Sequence, residues 1–444
     1  MKNSTDASPT TKGTPGLSLT YLPVDALRPY ARNARTHSKR QIRQIAASIK
    51  EFGFTQPVLI DKENSIIAGH GRVEAAKLVG LSKVPTIRLE GLSPDQVRAY
   101  IIADNRLAEK AGWDASILAI ELQHLLLLTD LDITVTGFEV PEIDLILKQP
   151  GDEEDAEEIL DKFLGPSVTR SGDLWKLGNH RLLCGSALEE ESFQKLMGAD
   201  RANAVFVDPP YNVKIDGNVC GKGKIRHREF AMATGEMTKS EFMEFLRASF
   251  VLLTRYSSPG SVHYICNDWR HIQEVMEAAE NIYDEFLNLC VWAKDNGGMG
   301  SMYRSQHELV FVMRNGKASH RNNVQLGKYG RNRTNLWRYP GVNTLSKNKE
   351  EGNLLALHPT CKPVAMVADA FLDCTKRGDI VLDSFLGSGT TLMAAERVGR
   401  VFRGIELDPI YVDTAIRRWQ RYSGESAVLA TTGKSFTELE AQGE

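Results

Sequence analysis

Ile42, Ile45, Ala46, Ile49 and Phe52 recur at helical spacing among polar neighbours, so the pattern predicts a helix from Lys39 to Phe52 with one buried face. Two short apolar runs follow, at residues 57–60 and 66–68, and read as strands. The second ends in Gly69-His70-Gly71-Arg72, a turn that opens another helix through Val79. Ser93-Pro94-Asp95-Gln96 is a helix start, because serine caps, proline takes the first helical position and glutamine reaches back to the cap. One more helix begins after Asp114 and runs through a leucine-rich stretch to about Leu128. Strands alternating with helices predict a smaller α+β domain over residues 19–111, extended by helix over residues 112–150.

The pattern breaks at Gly151-Asp152-Glu153-Glu154-Asp155-Ala156-Glu157-Glu158. This stretch is acidic and self-repelling, as joints between folding units often are, so residues 151–170 are expected to be a linker. Beyond it, short buried-type strands at residues 181–184, 204–207, 261–266 and 309–313 are separated by helical stretches. That alternation predicts a doubly wound α/β domain over residues 171–425, its parallel sheet covered on both faces. Residues 1–18, polar and rich in Pro and Gly, are expected as a disordered tail rather than a signal peptide, and residues 426–444 as a C-terminal tail.

Composition changes this picture little. A chain of 444 residues exceeds one typical core, so at least two folding units are expected, and 42% hydrophobic with 25% charged residues is ordinary for globular domains. No apolar run approaches the roughly 20 residues that span a bilayer, so no membrane partner is expected and the protein is assigned to the cytoplasm. Cys184, Cys220, Cys266, Cys290, Cys361 and Cys374 show no C-x-x-C spacing, which argues for free thiols and against a zinc site or disulfide framework. No metal is expected. A net charge of −3 carries no global nucleic-acid signature. Locally the balance differs: Lys317, Arg321, Lys328, Arg331, Arg333, Arg338, Lys347 and Lys349 are offset only by Glu350 and Glu351. Such a field would attract phosphate, although an ordinary solvated loop could also carry it.

Ala204-Val205-Phe206-Val207 is all apolar, as a strand buried on both faces is, and it delivers Asp208-Pro209-Pro210-Tyr211 at its carboxyl end. In open α/β sheets that edge is where ligands bind. An exocyclic base amine is a poor nucleophile because its lone pair is delocalised into the ring. Two acceptors, the Asp208 carboxylate and the Pro209 carbonyl, would hold its hydrogens and localise that pair for attack on a methyl sulfonium. Pro209 and Pro210 fix φ and aim the carbonyl outward. Tyr211 offers a ring face to a base swung out of the duplex, inside which the target atom is unreachable. A plain turn is the competing reading of the same tetrapeptide.

Residues 380–383 read as a strand, Phe385-Leu386-Gly387-Ser388-Gly389-Thr390-Thr391 as a glycine-rich turn, and residues 392–398 as the helix that follows. Glycines let the backbone approach a ligand, and a helix N-terminus favours negative charge. The next strand, residues 401–405, delivers Glu406 at about the interval after Asp383 at which nucleotide-binding folds place a ribose-binding acid. A dinucleotide site is the rival, but Leu392 stands where G-x-G-x-x-G needs its third glycine. An adenosine-type methyl donor accounts for both constellations at once.

Together these residues resemble the amino-methyltransferases of DNA, in the group whose catalytic tetrapeptide precedes the cofactor loop. Asp208-Pro209-Pro210-Tyr211 looks like their catalytic motif, Asp383-Ser384-Phe385-Leu386-Gly387-Ser388-Gly389-Thr390-Thr391 like their cofactor loop, and Gly404-Ile405-Glu406-Leu407-Asp408 like their ribose strand. His358-Pro359-Thr360-Cys361-Lys362-Pro363 resembles the element before the loop, which implies that His358, Thr360 and Lys362 lie near the methionine part of the donor. Cys361 replaces the family's glutamine, and Ser186 stands where relatives commonly carry an aspartate. The resemblance implies a Rossmann-like fold, S-adenosylmethionine as cofactor and double-stranded DNA as partner, with room for a homodimer and a cognate nuclease. In this family aspartate before the two prolines goes mainly with adenine and serine with the cytosine amine. Adenine N6 is therefore implied; cytosine N4, or an inert domain on a DNA-binding regulatory protein, are the alternatives.

Arg304-Ser305-Gln306-His307-Glu308 also resembles a core stretch of these enzymes, with His307 read as structural. Target recognition is expected at residues 317–357, where Arg331, Arg333 and Arg338 interleave with Tyr329, Trp337 and Tyr339. A mobile loop at residues 221–228 is expected to bring Lys222 and Lys224 to the DNA. Residues 19–109 resemble the ParB/sulfiredoxin-like module, with Gly69-His70-Gly71-Arg72 at its nucleotide or phosphate turn. The sulfiredoxin cysteine is absent, and His70 stands where partition proteins usually carry a glutamate. A scaffolding or DNA-docking role is therefore expected rather than nucleotide hydrolysis.

Overall fold

The computed structural model describes residues 17–126, 131–147, 167–212, 236–294, 302–327, 331–339 and 362–442. The chain divides into two units, Met1–Leu147 and Lys148–Glu444.

In the first unit the helical periodicity gives a helix over Lys39–Phe52, capped by Ser38 and closed by Gly53 at φ 79°. The helix Pro94–Lys110 opens on the predicted reciprocal cap: the Ser93 hydroxyl accepts from the Gln96 N–H, and the Gln96 side chain accepts from the Ser93 N–H. Four strands form a mixed sheet in the order β1 (Leu19–Pro23), β4 (Lys83–Arg88), β2 (Val58–Ile60), β3 (Ile66–Ala68). Its core gathers Val24, Leu27, Val58, Ile60, Ile66, Val73, Ala76 and Val84. β1 had no sequence signal because it lies at the sheet's edge with nearly every side chain exposed. Helices Ala115–Leu126 and Val140–Ile146 occupy the predicted extension.

The second unit is built on a ten-stranded sheet. Its strands are β5 (Leu174–Leu177), β6 (His180–Cys184), β7 (Ala202–Val207), β8 (Ser257–Asn267), β9 (Glu285–Ala293), β10 (His307–Arg314), β11 (Leu336–Arg338), β12 (Ile380–Asp383), β13 (Val401–Glu406) and β14 (Val428–Leu429), in the order β11-β9-β10-β8-β7-β12-β13-β6-β5-β14. The expected all-parallel sheet needs correction. The run β8-β7-β12-β13-β6 is parallel, but β10 is antiparallel to both its neighbours, β5 to β6, and β14 to β5. Both faces are covered, as the apolar character of β7 requires. Ala204 and Phe206 join the core under helices Val364–Cys374, Thr390–Arg397 and Pro409–Ser423, while Val205 and Val207 join the core under helices Glu190–Met197, Lys239–Arg255 and Ile272–Ala279.

Residues 426–442 do not behave as the expected tail. β14 extends the sheet, and the helix Phe436–Gln442 seats Phe436 at 0% exposure, its ring 5.3 Å from that of Trp175. Burying an aromatic of that size stabilises by about 1.5–3 kcal/mol, which makes this segment part of the fold.

Candidate active site

Chain order places the site. After β7 the chain continues outward to β8, and after β12 it continues in the opposite direction to β13, so the strand order reverses between β7 and β12. These two strands pair in parallel, Val381 with Ala204 and Leu382 with Val205. Their carboxyl ends therefore open side by side at the point where doubly wound sheets form a crevice. Asp208-Pro209-Pro210-Tyr211 leaves one strand and the glycine loop leaves the other, so motifs far apart in sequence flank one edge.

The Asp208 carboxylate is only 20% exposed and has both oxygens engaged. Oδ1 accepts from the Tyr211 hydroxyl at 2.7 Å, and Oδ2 accepts from the Lys362 ammonium. Lys362, expected near the donor's methionine part, ties Asp208 to a second buried carboxylate, with Nζ 3.1 Å from Glu308 Oε2. Glu308 Oε1 takes the ammonium of Lys294, and Tyr211 OH lies 3.3 Å from Glu308 Oε2. Burial lifts the Asp208 carboxyl, and Lys362 opposes it. Burial also works against Glu308, yet Lys362 and Lys294 outweigh it and hold that carboxyl down at about 2. Burial likewise disfavours the Lys362 charge, but Asp208 and Glu308 keep it firmly protonated. Sequence reasoning missed Glu308 and Lys294: the first sat in a stretch given no physical role, and the second just past the end of β9, a strand that had no signal. Just after the tetrapeptide, Asn212 adopts φ 51° and its amide clasps the Met237 backbone through N–H and C=O.

The cofactor loop is held from below by its own acids. Asp383 Oδ1 accepts from the Phe385 N–H at 2.9 Å and Oδ2 from the Thr391 hydroxyl at 2.6 Å, while burial pushes this carboxyl up to about 7. Gly387 sits at φ 57° and Gly389 at φ 98°, and a Cβ on Gly389 would lie 2.9 Å from that of Ala415, so glycine is required there. Ser388 turns inward, its carbonyl accepting from Arg418 at 2.8 Å. Thr390 begins the helix, and Phe385 packs 5.9 Å from Phe245. Glu406, at the end of β13, accepts from the Gly387 N–H at 2.7 Å and the Asp408 N–H at 2.8 Å, and burial pushes it up to about 7.

Two buried polar atoms on this edge have no hydrogen-bond partner: Ser384 Oγ beside the loop and Asn267 Nδ2 at the end of β8. Among the described residues other buried atoms are also unpaired, but these two stand on the edge that carries the glycine loop, where a polar ligand would satisfy them. Together with the glycine-lined turn and the buried Glu406, they fit an adenosyl donor.

Two of the expected DNA contacts are corrected. Arg331, 5% exposed, places Nη2 2.5 Å from Asp373 Oδ1 and also bonds the Asp369 carbonyl at 3.1 Å. Arg333 places Nε 3.1 Å from Asp373 Oδ2 and Nη1 3.2 Å from Asp369 Oδ2. Both guanidinium groups are consumed in holding residues 331–339 to the helix Val364–Cys374, because a buried arginine must satisfy its charge within the protein. Arg338, on β11, is exposed. His358, Thr360, Lys222, Lys224 and Tyr329 lie outside the described residues, as do residues 221–228 and most of the expected linker and N-terminal tail.

In the first unit the turn before helix His70–Val79 is made as expected, with Gly69 at φ 104° as its cap. His70 Nε2 accepts from the Tyr30 N–H at 3.2 Å, and burial lowers the imidazole's proton affinity, so this ring serves the fold as a neutral acceptor. Arg72 donates to the Gln56 carbonyl and side chain, both at 3.0 Å.

Fold and site together define a Rossmann-like methyltransferase preceded by a separate α+β domain. The profile of the DNA methylase family matches residues 202–417, that of the ParB N-terminal domain residues 9–105, and that of the ParB-methyltransferase HTH domain residues 116–171. The third match covers much of the predicted helical extension and continues through the acidic residues expected as a linker. The chain is 54% identical over 80 residues to the ParB-like nuclease domain-containing protein YnaK of Escherichia coli K12, spanning 18% of this chain and 92% of that protein. Over 238 residues it is 29% identical to the type II methyltransferase M2.DpnII of Streptococcus pneumoniae, spanning 51% of this chain and 85% of that protein. The solved structure of M1.HpyAVI aligns at 20% identity over 53% of this chain and 96% of that one, with a TM-score of 0.37. Residues 202–417 thus form a domain of the N6/N4 DNA methylase type, and a ParB-like domain over residues 9–105 stands ahead of it in the chain. S-adenosylmethionine is its cofactor, and DNA is its partner. Among the described residues no helix is long and apolar enough to cross a membrane.

Proposed function

We propose that the chain methylates the N6 amine of adenine in double-stranded DNA. The observation that carries this reading is the Asp208 carboxylate at the end of β7, beside the glycine loop that leaves the neighbouring strand β12. Asp208 and the Pro209 carbonyl accept the two amine hydrogens and leave the nitrogen lone pair free to attack. Tyr211 OH now donates to Asp208 Oδ1, so seating the base exchanges one donor on that oxygen for another at little cost. Pro210 stiffens the corner, and the Tyr211 ring faces the flipped base. When bound, S-adenosylmethionine supplies an electrophilic methyl group. Glu406, Gly387, Ser388, Gly389, Thr390, Phe385 and Asp383 would hold it, with His358 and Thr360 completing its methionine end. The rate comes from positioning and from polar groups fixed in advance, with no covalent enzyme intermediate.

Aspartate before the two prolines favours adenine over cytosine. The test uses PCR-amplified bacterial DNA and labelled donor, followed by nucleoside digestion and mass spectrometry. N6-methyladenine is the expected product, and N4-methylcytosine would overturn the base assignment. Donor binding without any transfer would favour the regulatory alternative. Asp208→Ala should abolish transfer while donor binding survives, and transfer at the native rate would end this mechanism.

A further inference from the structure

Glu308 has no part in the reaction as derived, yet it is buried within contact of the two groups that engage Asp208. Resting on the reading of Asp208 as the amine acceptor, we propose that Glu308 is a positioning residue that divides the Lys362 ammonium between two carboxylates, leaving Asp208 ionised but not neutralised. Lysine is a compact charge with three donors, and can therefore serve two carboxylates at once. Without Lys362, a carboxylate this buried would take up a proton and stop accepting. With Lys362 engaged by Asp208 alone, the charge that draws the amine hydrogens would be largely cancelled. Glu308 sets the balance between these limits, and Lys294, on its far oxygen, holds Glu308 in place.

The groups that face Asp208 come from five directions: Tyr211 in its own corner, Cys266 on β8, Glu308 on β10, Lys362 ahead of helix Val364–Cys374, and Asp383 on β12. Lys362 is the cation among these, and Glu308 is the group that competes for it.

The test is the pH dependence of methyl transfer by the full chain, using PCR-amplified bacterial DNA and radiolabelled S-adenosylmethionine. Glu308→Gln keeps the shape and removes the charge. It takes away a repulsion and returns Lys362 to Asp208, so the acidic limb of the profile should move to lower pH. The plateau rate should fall roughly 10–100-fold, the loss typical when a group behind a working ligand is removed. Donor affinity, measured by calorimetry, should be unchanged. Lys362→Met should move the same limb the other way, to higher pH. Should Glu308→Gln fail to fold, Lys294→Met provides a milder probe: it leaves Lys362 drawn towards Glu308, and a smaller shift to higher pH is expected. A limb that stays in place in these variants, or moves opposite to the stated direction, overturns the proposal. If Asp208→Ala is inert while the limb stays in place, only the role of Glu308 falls. If Asp208→Ala retains native turnover, the underlying reading falls with it.

Discussion

Two buried clusters in the methylase unit have the same composition and opposite uses. At the end of β7, Asp208 and Glu308 meet Lys294, Lys362 and Tyr211; against the helix Val364–Cys374, Asp369 and Asp373 meet Arg331, Arg333 and Tyr339. Each has two carboxylates, two cations and a tyrosine. The cations make the difference. Arginine's planar fork spreads several donors over the carboxylates, so Asp369 and Asp373 are each held by both guanidinium groups, although Arg333 Nη2 has no partner among the described residues. Lysine bonds as a point charge, which leaves Asp208 able to exchange the Tyr211 hydroxyl for a substrate donor. Position decides the rest: one cluster stands at the switch point of the sheet, the other beside β11 at its margin.

Exchanging charge for amide at one aspartate in each cluster should separate the two roles. Asp208→Asn should lower methyl transfer by about 10³-fold, with the unfolding free energy changed by no more than about 1 kcal/mol. Asp373→Asn should do the reverse, costing about 3–5 kcal/mol in denaturant unfolding while turnover per folded molecule is kept. A rate loss at Asp373 as large as that at Asp208 would erase the distinction.

Glu406 tests what happens to a buried acid bonded by backbone N–H groups rather than by a cation. Burial raises its carboxyl to about 7, so the folded protein retains a proton that the unfolded chain would lose near the ordinary glutamate value. This group's contribution to stability therefore falls as pH rises through that window. The carboxylate proposed to grip the ribose forms as pH passes about 7, so donor affinity should increase by several-fold between pH 6 and pH 8. Calorimetry should find this dependence flattened in Glu406→Gln, and an equal slope in both proteins would contradict the assignment. The smallest effects belong to the tyrosines. Tyr339→Phe should cost about 1 kcal/mol of stability without altering the rate. Tyr211→Phe should change the rate by a few-fold and leave the melting temperature nearly unmoved.

Much of the framework was legible because it is local. The helix over Lys39–Phe52, the reciprocal cap at Ser93 and Gln96, the apolar run ending in Asp208, and the glycines that only a tight turn needs are all set by neighbours within a few residues. These local signals suffice for a two-part chain, a doubly wound methylase half and the two motifs of its crevice. Long-range packing supplies what spacing cannot express. β5, β9, β11 and β14 are too short or too mixed in pattern to stand out: β5 forms a tight hairpin with β6, while β11 and β14 exist by pairing with strands far along the chain. Arg331 and Arg333 read as phosphate binders until the fold set Asp369 and Asp373 against them. Lys362 meets Asp208 across 154 positions of chain. A sequence states which side chains carry charge or shun water; which partner satisfies each one depends on the elements that packing brings together.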